Sequence, residues 1–221
     1  MYNNKRIAVN TVAIYCRLVL SSGIALFSTR YVLEALGEED FGLYNVIAGV
    51  VALFSFIAST MATTTQRFIS FTMGSAPDTG RIREVFGSSL CLHVVVAFVV
   101  AAVVLLGGWL LIDNVLSIPQ GKHSDALFVL VSVCFGLVGT IVSVPFEALL
   151  MAHENIVFVS VCQMFNMLVK LGGALLLLYL EADRLRIYAV IMACLPFLLL
   201  LMEGSFCLRR YPESRFGVGE L

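Results

Sequence analysis

Six apolar runs, each about as long as a bilayer is thick, dominate this 221-residue chain, at residues 7–27, 42–63, 86–111, 126–150, 157–180 and 187–207. A hydrocarbon core of about 30 Å takes about 20 helical residues to cross, so each run has the length of one transmembrane helix. Backbone amides inside lipid find no water to bond, which leaves helices and closed barrels as the only spanning structures. The ten-residue alternation of a barrel strand is absent. The connecting stretches are short, which predicts antiparallel neighbours. The expectation is an all-α integral membrane protein, a six-transmembrane-helix bundle occupying 1–221 as a single domain with a cytoplasmic tail at 208–221.

Charge supports that class. Only 13% of residues are charged against 60% hydrophobic, with a mean hydropathy of +0.96. Soluble domains carry about 25% charged residues, so too little polar material remains to coat a soluble particle. The net charge of −1 offers no basic surface for nucleic acid. Six cysteines are scattered singly in or beside the apolar runs and read as small packing residues rather than a disulfide framework or metal cluster. The N-terminal Lys5-Arg6 pair resembles the start of a signal peptide, but the following run is too long and contains Arg17. It reads as a retained span.

Basic residues in the flanks set the expected orientation. Lys5, Arg6, Arg67, Arg81, Arg83, Arg209, Arg210 and Arg215 fall on one side; Arg30, Lys122, Arg184 and Arg186 fall on the other. Eight against four predicts both termini in the cytoplasm, with the Arg184/Arg186 pair running against the trend. Glu38, Glu39 and Asp40 precede the second run and read as helix-capping carboxylates, Asp40 as the N-cap, the alternative being a cation-attracting vestibule. A turn is expected at Pro77 to Gly80.

Arg17 lies near the middle of the first run. Ten of that run's residues are Leu, Ile, Phe or Val, worth about −3 to −6 kcal/mol for insertion. A central arginine costs about 2.5–3.5 kcal/mol on the same scale. Insertion is therefore marginal, and the guanidinium should face protein or water. Helical periodicity agrees: at 100° per residue, Asn10, Arg17, Ser21 and Ser28 fall within about 40° of arc. Ser55, Ser59, Thr63 and Gln66 share a face within about 80° of arc. Ser132, Gly136, Gly139, Ser143 and Glu147 do the same in the fourth run, and Gln163, Asn166 and Lys170 in the fifth. The third and sixth runs are nearly bare and read as peripheral supports. The expected arrangement is a bundle around a hydrated cavity, with Arg17 and Lys170 projecting into it to hold an anion. Guanidinium geometry suits a phosphate. Glu147 is read either as an ion-coupling carboxylate or as the structural partner of one buried cation. Pro145 is expected to kink the fourth helix. No nucleophile elbow, HExxH or phosphate-binding loop occurs, so neither an enzyme nor a cofactor is expected.

Several stretches carry a family resemblance, in order along the chain: "NTVAIYCRLVL", "RYVLEALGEEDFGLYNVIAGVVALFSFI", "TTTQRFISFTMG", "VPFEALLMAHENIVFVSVCQMFNMLVKL" and "RRYPESRF". They resemble the polysaccharide or O-antigen flippases of the multidrug/oligosaccharidyl-lipid/polysaccharide exporter superfamily. The resemblance implies a bacterial inner-membrane protein that moves an undecaprenyl-diphosphate-linked oligosaccharide to the outer leaflet for lipopolysaccharide, capsule or exopolysaccharide synthesis. It implies two related MATE-like lobes around a cationic cavity, alternating access and ion coupling. On that analogy Arg17 and Lys170 meet the diphosphate or acidic sugars, Arg67 reaches a headgroup from the cytoplasmic mouth or anchors the span, and Asn10, Ser21, Ser55, Ser59, Thr63, Gln163 and Asn166 line the cavity. Members of that family have about twelve spans. Six imply the first lobe of a truncated product, its tail starting an inter-lobe linker, or self-association of two copies. The alternatives are a cation-coupled small-molecule exporter of the same superfamily and an inactive fragment or membrane scaffold.

Overall fold

The computed structural model describes residues 2–75, 79–116, 118, 121–180 and 183–214, with side chains from residue 8 onward. The start of the turn expected at Pro77, the side chains of Lys5 and Arg6, and the tail from Arg215 lie outside the described residues. Every regular element among those described is helical: α1 (Tyr2–Ala52), α2 (Ser55–Ser75), α3 (Thr79–Asn114), α4 (His123–Ala152), α5 (Ile156–Tyr179), α6 (Arg184–Arg210) and a single 3-10 turn at Pro212–Ser214. Five helical stretches are long and apolar enough to cross a membrane. The first two apolar runs fall together in one of them, Ala8–Ser75.

That first stretch is not straight. Gly37 sits at φ 76, ψ 172 inside α1, a conformation open to glycine and strained for other residues. The contacts on either side of it show a reversal. Before it, Asn10 reaches the Glu154 carbonyl while Ala35 accepts from Arg184. After it, Asp40 meets Lys122 and Tyr44 packs edge-on against Tyr188, whereas Ile69 lies in one apolar cluster with Phe86, Phe146 and Tyr211. Residues 2–36 thus climb from a terminal end, marked by Tyr211 and the α4–α5 turn, to a distal end. Residues 38–75 return, broken only at Leu53-Phe54, where Phe54 N–H donates to Val51 at 3.0 Å.

The other helix ends have local causes. Asp183 accepts from the Arg186 N–H at 3.2 Å and caps α6. After α4, Glu154 takes a positive φ of 58, and the Asn155 N–H bonds back to Leu150 in a helix-terminating turn. At the distal end Arg184 fills the Ala35 carbonyl at 3.0 Å, an acceptor near the helix end that Gly37 breaks. Arg186 meets Asp125 at 2.8 Å. The two arginines that ran against the charge trend therefore tie the distal end together. Asp40 does not cap a helix as expected: it lies three residues past the Gly37 break and holds Lys122 at 2.6 Å, raising that ammonium above its ordinary value through the hydrogen bond.

The helix α4 is the centre of the bundle, with the largest share of buried residues, and α2, α3 and α6 all pack on it. Its small residues do not face a cavity. A Cβ at Gly136 would lie 3.3 Å from Ala193 Cα, and one at Gly139 would lie 3.0 Å from the Phe197 ring. Within the row that reads as polar in sequence, Gly136 and Gly139 form a close-packing seam against α6, the way helices associate where lipid supplies no hydrophobic drive. Consequently α6 is not peripheral: it is the main neighbour of α4 and also packs on α5.

Candidate functional site

The first limb of α1 delivers Arg17 half-buried against α5. Its Nη1 donates to Gln163 Oε1 at 2.6 Å, and Gln163 Nε2 donates to Glu147 Oε1 on α4 at 3.1 Å. A neutral amide thus stands between guanidinium and carboxylate, and three helices are joined through it. On α6, Glu203 is 2% exposed and close enough to Glu147 to feel its charge. Glu203 lies in the sixth run, which reads as nearly bare in sequence. A lone carboxylate in an apolar helix was the available signal. Glu147 and Glu203 thus give the described interior two carboxyl groups beside the mid-helix Arg17 and Lys170.

Lys170 remains a local surplus. It lies two turns along α5 from Gln163, about 10 Å, half-buried. It forms no hydrogen bond or ion pair among the described residues. The third member of that row, Asn166, lies against α6 and donates to the Leu195 carbonyl at 2.9 Å; it clasps two helices instead of lining a chamber. Asn10 reaches the terminal end, where its amide lies 3.5 Å from the Glu154 carbonyl. Ser21 is half-buried and satisfied by Leu18 of its own helix at 2.9 Å.

Arg17 and Lys170 are expected from the sequence to project into a hydrated cavity; Arg17 instead bonds to Gln163. Cavities of about 400 and 500 Å³ lie along α2, and neither is lined by either cation. What α2 presents instead is an exposed polar stripe. Ser55, Ser59 and Thr63 are exposed, their hydroxyls donating to their own helix at 2.6, 2.9 and 3.0 Å. Arg67 is exposed one turn further on and lines the smaller cavity with Thr63, Phe68 and Phe71. No protein-family model, curated protein or solved structure matches this chain. The flippase likeness therefore rests on the stretches quoted above, and the site must be read from its own chemistry. That chemistry is a bundle whose polar groups divide in two: a bridged charge row inside, and a hydroxyl-rich row on an outer face.

A second polar centre lies between α2 and α3. The Thr65 and Ser89 hydroxyls lie 3.1 Å apart. Ser89 in turn meets the His93 Nδ1 with its carbonyl at 2.6 Å. His93 is 1% exposed, and its Nε2 finds no hydrogen-bond partner among the described residues.

Proposed function

We propose that this chain is one bundle of a transporter that flips a lipid-diphosphate-linked oligosaccharide across the bacterial inner membrane. In this reading it crosses six times, with both termini cytoplasmic and α2 facing a second bundle. The α2 stripe supports the reading. Helix surfaces that meet lipid are apolar, as the exposed Phe98, Val99, Val103 and Leu106 of α3 are. The hydroxyls of the α2 row are satisfied by their own helix, but the exposed Arg67 charge at its end favours water or protein opposite it over lipid. Two related bundles facing each other across a wet path are the general logic of alternating access, and one bundle supplies one wall. Unpaired Lys170 and singly bonded Arg17 provide positive charge for a diphosphate.

The test is export of lipid-linked glycan in a flippase-deficient strain. Arg17→Ala and Lys170→Ala should each reduce rescue while the protein stays in the membrane at wild-type abundance. Full rescue by both variants removes the two cations from the site.

One observation favours a second reading. Glu147 and Glu203 together give the interior two carboxylates, which suits a cation-coupled exporter of small molecules from the same superfamily. In that case Glu147→Gln and Glu203→Gln abolish efflux of cationic compounds, and glycan export is unaffected in every variant.

A further inference from the structure

The larger cavity along α2 lies between α2 and α3 near the terminal end, lined by Thr64, Phe68, Arg81, Glu84, Ser88 and Leu92, among others. Its composition changes along its length. Arg81 and Glu84 stand in the first turns of α3, both exposed, three residues apart and so on one face of the helix. Neither makes an ion pair among the described residues. The order of the two, with the cation nearer the helix N-terminus, is the poorer one for pairing along a helix. Farther along, Phe68 is 59% and Leu92 57% exposed. The Thr65 and Ser89 hydroxyls that floor the groove are engaged with each other. The groove is therefore headed by one positive and one negative side chain and walled by carbon.

We propose that this groove binds a phospholipid with a zwitterionic, primary-amine headgroup, Arg81 taking the phosphate and Glu84 the ammonium, with an acyl chain against Phe68 and Leu92. A purely anionic lipid satisfies Arg81 and is repelled by Glu84. A phosphoethanolamine group, whose two charges are separated by two carbons, meets both. The proposal needs α2 and α3 to end at a membrane surface but is independent of what the bundle transports.

The test is native mass spectrometry of the purified full chain, titrated with phosphatidylethanolamine, phosphatidylglycerol and phosphatidylcholine of matched acyl chains. Wild type should favour phosphatidylethanolamine over phosphatidylglycerol by about fivefold, the effect of one interfacial charge. Glu84→Gln should erase that preference, Glu84→Lys should invert it, and Arg81→Gln should weaken binding of both lipids. Both positions are surface sites, so folding is expected to survive and is checked by far-UV circular dichroism. Soluble glycerophosphoethanolamine should fail to displace the lipid, because it lacks the chains. The proposal is overturned by a wild-type preference for phosphatidylglycerol, by equal binding of phosphatidylcholine, by an unchanged preference in Glu84→Gln, or by displacement with the soluble headgroup.

Discussion

Gln163 keeps two opposite charges apart. Its amide donates to Glu147 and accepts from Arg17, so both ions are satisfied without neutralising each other in contact. Replacing it with leucine leaves a half-buried guanidinium and carboxylate each short of a partner. Gln163→Leu should therefore lower the stability of the purified protein by about 1–3 kcal/mol, read as a lower midpoint in detergent melts. The face that Gln163 shares with Asn166 and Lys170 was legible in the sequence, because i, i+3, i+7 spacing follows from the helical period alone. What each residue touches was not. Asn166 reaches α6 and Gln163 reaches α1 and α4 because of how the helices are arranged, and periodicity carries no information about neighbours.

Helix pairing explains where the α4 pattern misled. Ser132, Gly136, Gly139 and Ser143 are small as well as polar, and size rather than polarity decides their role, since the two glycines admit the backbone and rings of α6. Gly136→Ala should cost about 1–3 kcal/mol through overpacking, whereas Gly172→Ala on α5, with open space around it, should cost almost nothing. Circular dichroism melts of the two variants make the comparison. At the distal reversal, Gly37→Ala should cost a similar 1–3 kcal/mol, because its conformation is strained for a residue with a side chain. The Lys122–Asp40 pair that braces this end is partly exposed, so Lys122→Ala should cost only about 0.2–1 kcal/mol. The Lys122 pKa is raised in the folded chain. Its contribution is then complete at neutral pH and fades as pH climbs through that raised value. Melts of wild type and Lys122→Ala should differ at neutral pH and converge once pH exceeds the raised lysine value.

For the molecule as a whole, the all-helical class and the membrane length of its helices were readable from run length and hydropathy, the properties lipid selects most directly, whereas the first two runs fall in one continuous stretch, Ala8–Ser75. The location of the polar surface was not readable, since a stripe on one helix looks the same in sequence whether it turns inward or out. The α2 stripe turns out. In a cysteine-free background, Ser59→Cys and Thr63→Cys should react with a membrane-impermeant maleimide in intact membranes opened on both sides. Phe98→Cys, on the exposed apolar face of α3, should not. Equal silence at all three positions would mean that lipid or a dry interface covers α2.

The single-residue reversal at Gly37 also has a mechanical side. Residues 2–36 form an arm about 50 Å long at 1.5 Å per residue, joined to its return limb by one set of backbone torsions. A rotation of about 5° at that joint would sweep the amino-terminal tip through about 4–5 Å. Gln163 holds the same arm at Arg17, near mid-length, and Asn10 holds it again near its tip through the Glu154 carbonyl, so the arm's leverage is set by its seam with α5 and not by the joint alone.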